Sequence, residues 1–225
     1  MPEMSGLIQF DNVTIFQDER PVVGNLSVSV QKGEFVYLLG KTGSGKSSFL
    51  KTIYADLPLN NGAASVCGFN LMSLRQRDIP FLRRKLGIVF QDFQLLGDRS
   101  VYENLKFVMK ATGWRDEAKI KARISDVIKK ISLEGKENKL PHELSGGEQQ
   151  RVSIGRALVN NPEVILADEP TGNLDPETSE EILKLLMQLS ESGCAVLFAT
   201  HDMLVYNKFR SRTLTFDNGR VSEKI

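Results

Sequence analysis

Between Gly40 and Ser48 the chain reads Gly-Lys-Thr-Gly-Ser-Gly-Lys-Ser-Ser. Glycines at Gly40, Gly43 and Gly45 let the main chain curl until several N–H groups converge on one point, and Lys46 brings a mobile positive charge to it. Such a nest holds phosphate. The Ser47 hydroxyl is placed for a magnesium ion, which completes a Gly-x4-Gly-Lys-Ser pattern whose chemistry is nucleoside triphosphate binding.

Further along lies a pair of carboxylates, Asp168-Glu169, at the end of the apolar run Val164 to Ala167. An acid at a strand end beside a phosphate loop can hold magnesium through its water shell, and a second acid can orient or deprotonate an attacking water. Two carboxylates there take different tasks, because the metal's charge keeps Asp168 ionised. Gln91, at the end of another short apolar run, offers an amide carbonyl to the same ion, directly or through its water. His201 follows a third run, Ala195 to Thr200, and would emerge beside the other strand ends, where a phosphate is expected. Upstream, Phe16 can stack on a purine ring or pack into the core.

Leu144-Ser145-Gly146-Gly147-Glu148-Gln149-Gln150-Arg151 is a second specific stretch. Ser145 can cap a helix, Glu148 three positions later completes a capping box, and the paired glycines leave the helix start open to an anion. The chain thus holds two phosphate-attracting helix starts. One nucleotide in one subunit does not obviously require both.

The elements that must position these groups alternate. Ile8, Phe10 and Val13 mark a strand, and Leu26, Val28 and Val30 another, both expected at a sheet edge. Phe35 to Leu39 is a strand running into the phosphate loop, and Phe49, Leu50, Ile53 and Tyr54 suit a short amphipathic helix after it. From Leu71 to Leu86 five basic residues interrupted by Asp78 and Pro80 read as a solvated face rather than a site for an anionic partner. Leu86 to Phe90 reads as a strand. Ile120, Ile124, Val127 or Ile128, and Ile131 recur at helical spacing within 101–133; the stripe suits an inserted helical unit or a helix covering the sheet. Ile182, Leu185, Leu186 and Leu189 predict a helix ending near Gly193. Leu214 and Phe216, the Asp217-Asn218-Gly219 turn and Val221 predict a terminal hairpin.

Composition bounds the reading. With 225 residues, 41% hydrophobic and 25% charged, the chain can bury one substantial core. A net charge of +1 gives no global field that would gather nucleic acid or an acidic membrane surface. No apolar run reaches the roughly 18 to 20 residues needed to span a bilayer, and the start of the chain lacks a signal-peptide pattern, so a cytosolic protein is expected. Cys67 and Cys194 lie outside any metal-ligand spacing and are expected to be reduced and structural.

With these residues laid out, the chain resembles the nucleotide-binding subunits of ABC (ATP-binding cassette) ATPases from about Leu7 to Val221. The resemblance implies an α/β P-loop NTPase with a RecA-like core sheet, an N-terminal antiparallel β-subdomain and an inserted α-helical subdomain. One ABC ATPase domain would span 1–225, with core and β-subdomain at about 1–91 and 160–225 and the helical, signature-bearing part at about 92–159. It implies that Gly40, Lys41, Thr42, Gly43, Ser44, Gly45, Lys46, Ser47 and Ser48 form the Walker A loop, with Gln91 the Q-loop and Ser145, Gly146, Gly147 and Glu148 in the signature. Asp175 falls in the D-loop, Asp168 and Glu169 end the Walker B strand, His201 is the switch histidine, and Phe16 takes the place of an adenine-stacking aromatic, usually a tyrosine. Ser48 stands where threonine is usual, which keeps the hydroxyl.

On this resemblance ATP would be held between the Walker A loop of one copy and the signature of another in a head-to-tail homodimer. Lys46, Glu169 and His201 would act on the phosphates and the water, and Ser47, Gln91 and Asp168 would manage Mg2+. An integral membrane subunit would receive the stroke at the cytoplasmic face of a bacterial inner membrane. The passages Ile79 to Asp92, Leu95-Leu96, Asp98 to Asn104 and Asp168 to Asp175 are most similar to the family's bacterial cell-division members; the last is shared with its lipoprotein-release and macrolide-export members. A DNA-repair or translation ATPase with the same head usually carries a long coiled coil or second cassette, and this sequence has neither.

Overall fold

A computed structural model describes residues 6–224, with Leu204 and Val205 in main chain only. Phe35–Leu39 (β3), Val164–Asp168 (β7) and Ala195–Thr200 (β8) are apolar runs without alternation, as strands covered on both faces must be, and nearly every side chain in them is buried. With Leu86–Val89 (β6) and the terminal hairpin Thr213–Asp217 (β9) and Arg220–Lys224 (β10) they form a six-stranded sheet in the order β10-β9-β3-β8-β7-β6. All neighbours in it are parallel except β9 and β10. Asn218 and Gly219 both have positive φ, which is the two-residue turn that the Asp-Asn-Gly signal predicts.

Register sets the site. Leu39 pairs with Thr200, and Asp168 with Ala199. Gly40, Glu169 and His201 therefore leave three adjacent parallel strands at one carboxyl edge, the edge where ligands collect in open α/β sheets.

A second, antiparallel sheet has the order β2-β1-β4-β5, built from Ile8–Gln17 (β1), Arg20–Val30 (β2), Ala63–Val66 (β4) and Phe69–Asn70 (β5). Only β2 of the two N-terminal strands is an edge; β1 lies between β2 and β4, because the short β4–β5 hairpin, with no clear sequence pattern, adds to its far side. The helix Lys46–Ile53 (α1) fills the space between the sheets. Its Phe49 ring sits 5.2 Å from Phe10 of one sheet and 5.7 Å from Phe216 of the other. Val36 and Leu38 of β3 join this cluster, while Phe35, Tyr37 and Leu39 point to the opposite face.

That opposite face is covered by helices. Val101–Ala111 (α3), Glu117–Lys130 (α4) and Gly146–Leu158 (α5) are inserted between β6 and β7, and Pro176–Glu191 (α6) joins β7 to β8. Ile120, Ile124, Val127, Ile128 and Ile131 are all buried, in one cluster with the odd-numbered side chains of β3. The inserted helices thus share a core with the sheet, with α4 packed chiefly on α3 and α5 rather than on a strand. A short helix, Ile79–Arg84 (α2), precedes β6, and the chain between β8 and β9 forms Met203–Lys208 (α7).

Internal partners occupy much of the basic passage. Arg75 pairs with Asp78, Arg83 with Asp56 and two main-chain carbonyls, and Lys85 with Glu163. Both cysteines are free, and burial pushes each thiol up to about 12, leaving them in the unreactive protonated form. Among the described residues no helix is long and apolar enough to cross a membrane.

Candidate functional site

The loop from Gly40 to Gly45 is held close to both sheets. A Cβ on Gly40 would come within 2.5 Å of the Phe216 carbonyl, and Gly45, at φ 105°, would press one within 2.6 Å of Val23. Only glycine allows the turn that delivers α1 with its amino end toward the cleft. The cleft in front of it measures about 510 Å³ and is lined by loop residues 42–48 with Gln91, Asp168, Glu169 and His201. This volume suits a nucleotide-sized ligand.

Lys46 is 5% exposed, and its ammonium is satisfied from within. Its Nζ donates to the carbonyls of Gly40 at 2.6 Å and Lys41 at 3.3 Å, and lies 3.5 Å from Glu169 Oε1. Ser47 Oγ donates to Asp168 Oδ1 at 3.1 Å. Burial pushes the Asp168 carboxyl above the usual carboxylate range, and the Ser47 hydrogen bond pulls it back.

Glu169 adopts φ 51°, a left-handed conformation uncommon for a residue with a side chain. Its main-chain N–H still joins the sheet edge through the Ala199 carbonyl at 3.0 Å. The side chain bridges Lys46 and His201, with Oε2 3.0 Å from His201 Nδ1 and accepting from the His201 main-chain N–H at 3.3 Å. The three candidate catalytic groups, Lys46, Glu169 and His201, are thereby one unit.

Phe16 is half-buried and lies one residue outside the cleft lining; Gln17 and Val22 stand there instead. Gln17 Oε1 accepts from Ser48 Oγ at 3.1 Å, tying the end of β1 to α1. Nothing in the local sequence marks Gln17.

Ser145 caps α5, its Oγ accepting from the Glu148 N–H at 3.3 Å while Glu148 Oε2 accepts from the Ser145 N–H at 2.9 Å. The predicted capping box is present, and helix geometry leaves the N–H groups of Gly146 and Gly147 open. Residues 145–148 do not line the cleft around Lys46. Gly147 also has a packing reason to be glycine, since a Cβ would sit 2.4 Å from Thr178 at the start of α6. Asp175 caps that helix, accepting from Thr178 N–H at 3.0 Å and Thr178 Oγ1 at 2.6 Å, which holds its carboxyl below the usual range.

One connection was invisible in the sequence. Gln150, fully buried on α5, donates through Nε2 to the Pro170 carbonyl at 2.7 Å and to the Phe90 carbonyl at 3.3 Å. A single side chain thus joins the capped helix to the ends of β7 and β6. Gln150→Leu keeps the bulk and strands two carbonyls, so urea unfolding should show a loss of about 1–3 kcal/mol; an unchanged midpoint would show that these bonds carry no stability.

Comparison with known proteins agrees with this geometry. Residues 23–172 match the family model described as ABC transporter. The chain is 44% identical over 218 residues to the "Cell division ATP-binding protein FtsE" of Streptococcus pneumoniae strain D39, covering 97% of this chain and 94% of that one. Among solved structures it superposes on cbiO1 of Clostridium perfringens, part of the cbiONQ ABC transporter complex, with TM-score 0.89 and 28% identity over 97% of this chain and 87% of that one. It superposes likewise on a dimeric post-hydrolysis state of the ATP-binding cassette MJ0796 bound to ADP and Pi, with TM-score 0.83 and 34% identity over 96% and 97% of the two chains. A strand-end constellation of lysine, serine, two acids and histidine around a phosphate loop, on this fold and with these relatives, leads to one conclusion: the chain belongs to the ABC transporter family of ATP-hydrolysing cassettes, among the cell-division ATP-binding proteins of the FtsE type.

Proposed function

We propose that two copies of this chain close head to tail around ATP and pass that motion to an FtsX-like membrane subunit, which regulates peptidoglycan hydrolysis during division. The observation that carries the reading is the split of the phosphate-binding groups. Lys46, Ser47, Asp168, Glu169 and His201 line one cleft, while the Ser145 helix start, open to an anion, lies outside it. A second copy supplies what each cleft lacks.

Within the cleft, the loop N–H groups and Lys46 bind the phosphates, which draws Nζ away from the Gly40 and Lys41 carbonyls. Glu169, released from Lys46, accepts a proton from the attacking water, and His201 holds its carboxylate in place. Ser47, Asp168 and Gln91 offer a hydroxyl, one carboxylate and an amide carbonyl, an oxygen set of the kind that holds magnesium jointly with phosphates. Bound there, Mg2+ would neutralise charge developing on the phosphate oxygens. Across the interface, Ser145, Gly146 and Gly147 contact the outer phosphate, with Glu148 completing the cap and Asp175 carried on the D-loop.

The membrane partner fits a groove of about 550 Å³ between α2, β6 and α3, lined by Pro80, Arg84, Gln94, Leu96, Phe107 and Arg156 among others. Phe107 in its lining and Phe81 beside it both stand exposed, with Arg99 over the Phe107 ring at 4.7 Å and Arg84 over the Phe81 ring at 5.3 Å. The chain would then sit on the cytoplasmic face of the inner membrane. Affinity recovery from solubilised membranes tests this: Leu96→Asp and Phe107→Asp should each cut recovery of the integral membrane subunit roughly tenfold, and unchanged recovery rules the groove out.

The insertion of α3 to α5 supports treating residues 92–159 as a helical unit against 1–91 and 160–225. Limited proteolysis should then cut first near 92 and 159; early cuts within β3, β7 or β8 would oppose that division.

A further inference from the structure

Gln91 leaves the end of β6, while Gly172 and Asn173 lie in the turn between β7 and α6. The Gln91 and Asn173 amides meet in a two-way contact. Asn173 Nδ2 donates to the main-chain carbonyl of Gln91 at 3.1 Å, and Gln91 Nε2 donates to Asn173 Oδ1 at 3.3 Å. A main-chain carbonyl can only accept, so it fixes which end of the Asn173 amide faces it. The opposite end, an acceptor, fixes Gln91 in turn: the NH2 is toward Asn173. Among the described residues the remaining atom, Gln91 Oε1, accepts no hydrogen bond, and Gln91 lines the cleft.

Gly172 makes room for the contact. A Cβ there would lie 2.7 Å from Gln91 Nε2 and 3.0 Å from its Cδ. Alanine would find an acceptable main-chain conformation, and it would push the flexible amide end of Gln91 aside.

We propose that Gly172 and Asn173 form a seat that turns the Gln91 amide so that Oε1, rather than the NH2, is presented to the magnesium ion. The inference rests on the reading of Gln91 as a ligand of that ion. A cation accepts only the oxygen end, and an unseated glutamine presents either end or neither. Asn173 and Gly172 are positioning residues: they act on the ion through Gln91, and neither lines the cleft around Lys46.

The test uses the full chain in a Glu169→Gln background, so that ATP is retained uncut, and follows retention of a fluorescent ATP analogue as Mg2+ is titrated. Asn173→Ala and Gly172→Ala should each raise the half-saturating Mg2+ roughly fivefold, the scale of one lost hydrogen-bonded placement. Binding of the analogue in EDTA should not change, which a merely unfolding variant could not achieve. Gln91→Ala should show at least the same shift, and adding Asn173→Ala to it should add nothing, because both act through one side chain. If Gln91→Ala shifts the titration and neither seat variant does, the seat is overturned and Gln91 keeps its assignment. If Gln91→Ala leaves the titration at the Glu169→Gln parent's value, the assignment and the seat fall together.

Discussion

Replacing Glu169 with glutamine should slow ATP turnover by roughly 10²-fold or more while ATP binding remains. The left-handed turn at Glu169 carries its carboxylate back over the cleft, where it spans Lys46 and His201. Glutamine keeps the length and retains an oxygen that can accept from the His201 N–H. What it loses is basicity at the one oxygen able to take a proton from water, and that loss falls on the chemical step. The ion pair with Lys46 acts in the other direction. Without a nucleotide, the lysine is held by two carbonyls and Glu169, so removing that negative charge leaves Lys46 less encumbered for phosphate. Affinity should therefore be equal or tighter in the variant. Phosphate release under saturating ATP measures the first effect, and fluorescent-nucleotide titration the second. Equal rates in the two proteins would remove Glu169 from the role of base.

Much of this site was legible because its signals are local. A strand, three glycines, a lysine and a helix within a few residues specify the phosphate loop without reference to the rest of the chain, and the Ser145 to Glu148 capping box is complete within one turn. Asp168, Glu169 and His201 were legible for a different reason. Each ends a run apolar enough to be an inner parallel strand, and parallel strands bring their carboxyl ends to one edge. The unread parts depend on partners distant in sequence. Gln150 is one glutamine among polar neighbours until Phe90 and Pro170, 60 and 20 residues away, converge on it. Asn173 and Gln91 are separated by 82 residues, and each looks like an ordinary loop amide. The inner position of β1 was missed because β4 and β5, at four and two residues, are too short to show a period.

A chain carrying Ser145→Asp should lose most of its ATPase activity, by roughly 10²-fold, the scale of losing one stabilising group for developing phosphate charge. Aspartate caps a helix as well as serine does, so α5 keeps its start and the fold its stability. The new carboxylate, however, stands at the amino end where the proposed dimer places the outer phosphate. Lys46→Ala should fail for the separate reason that the phosphates lose their cation. Each variant alone then has two dead sites in its symmetric dimer. Mixed, the two chains form hetero-pairs in which one site combines both lesions and the other combines the intact Lys46 loop with the intact Ser145 helix. With random pairing half the dimers are mixed and each has one working site of two, so activity should return to about a quarter of the unmodified protein's. A cassette that hydrolyses ATP within a single chain gives no such recovery, because every chain in the mixture carries its own defect. The mixing experiment thus decides whether the Ser145 helix serves its own cleft or its partner's, and a mixture no more active than its components would overturn the head-to-tail arrangement.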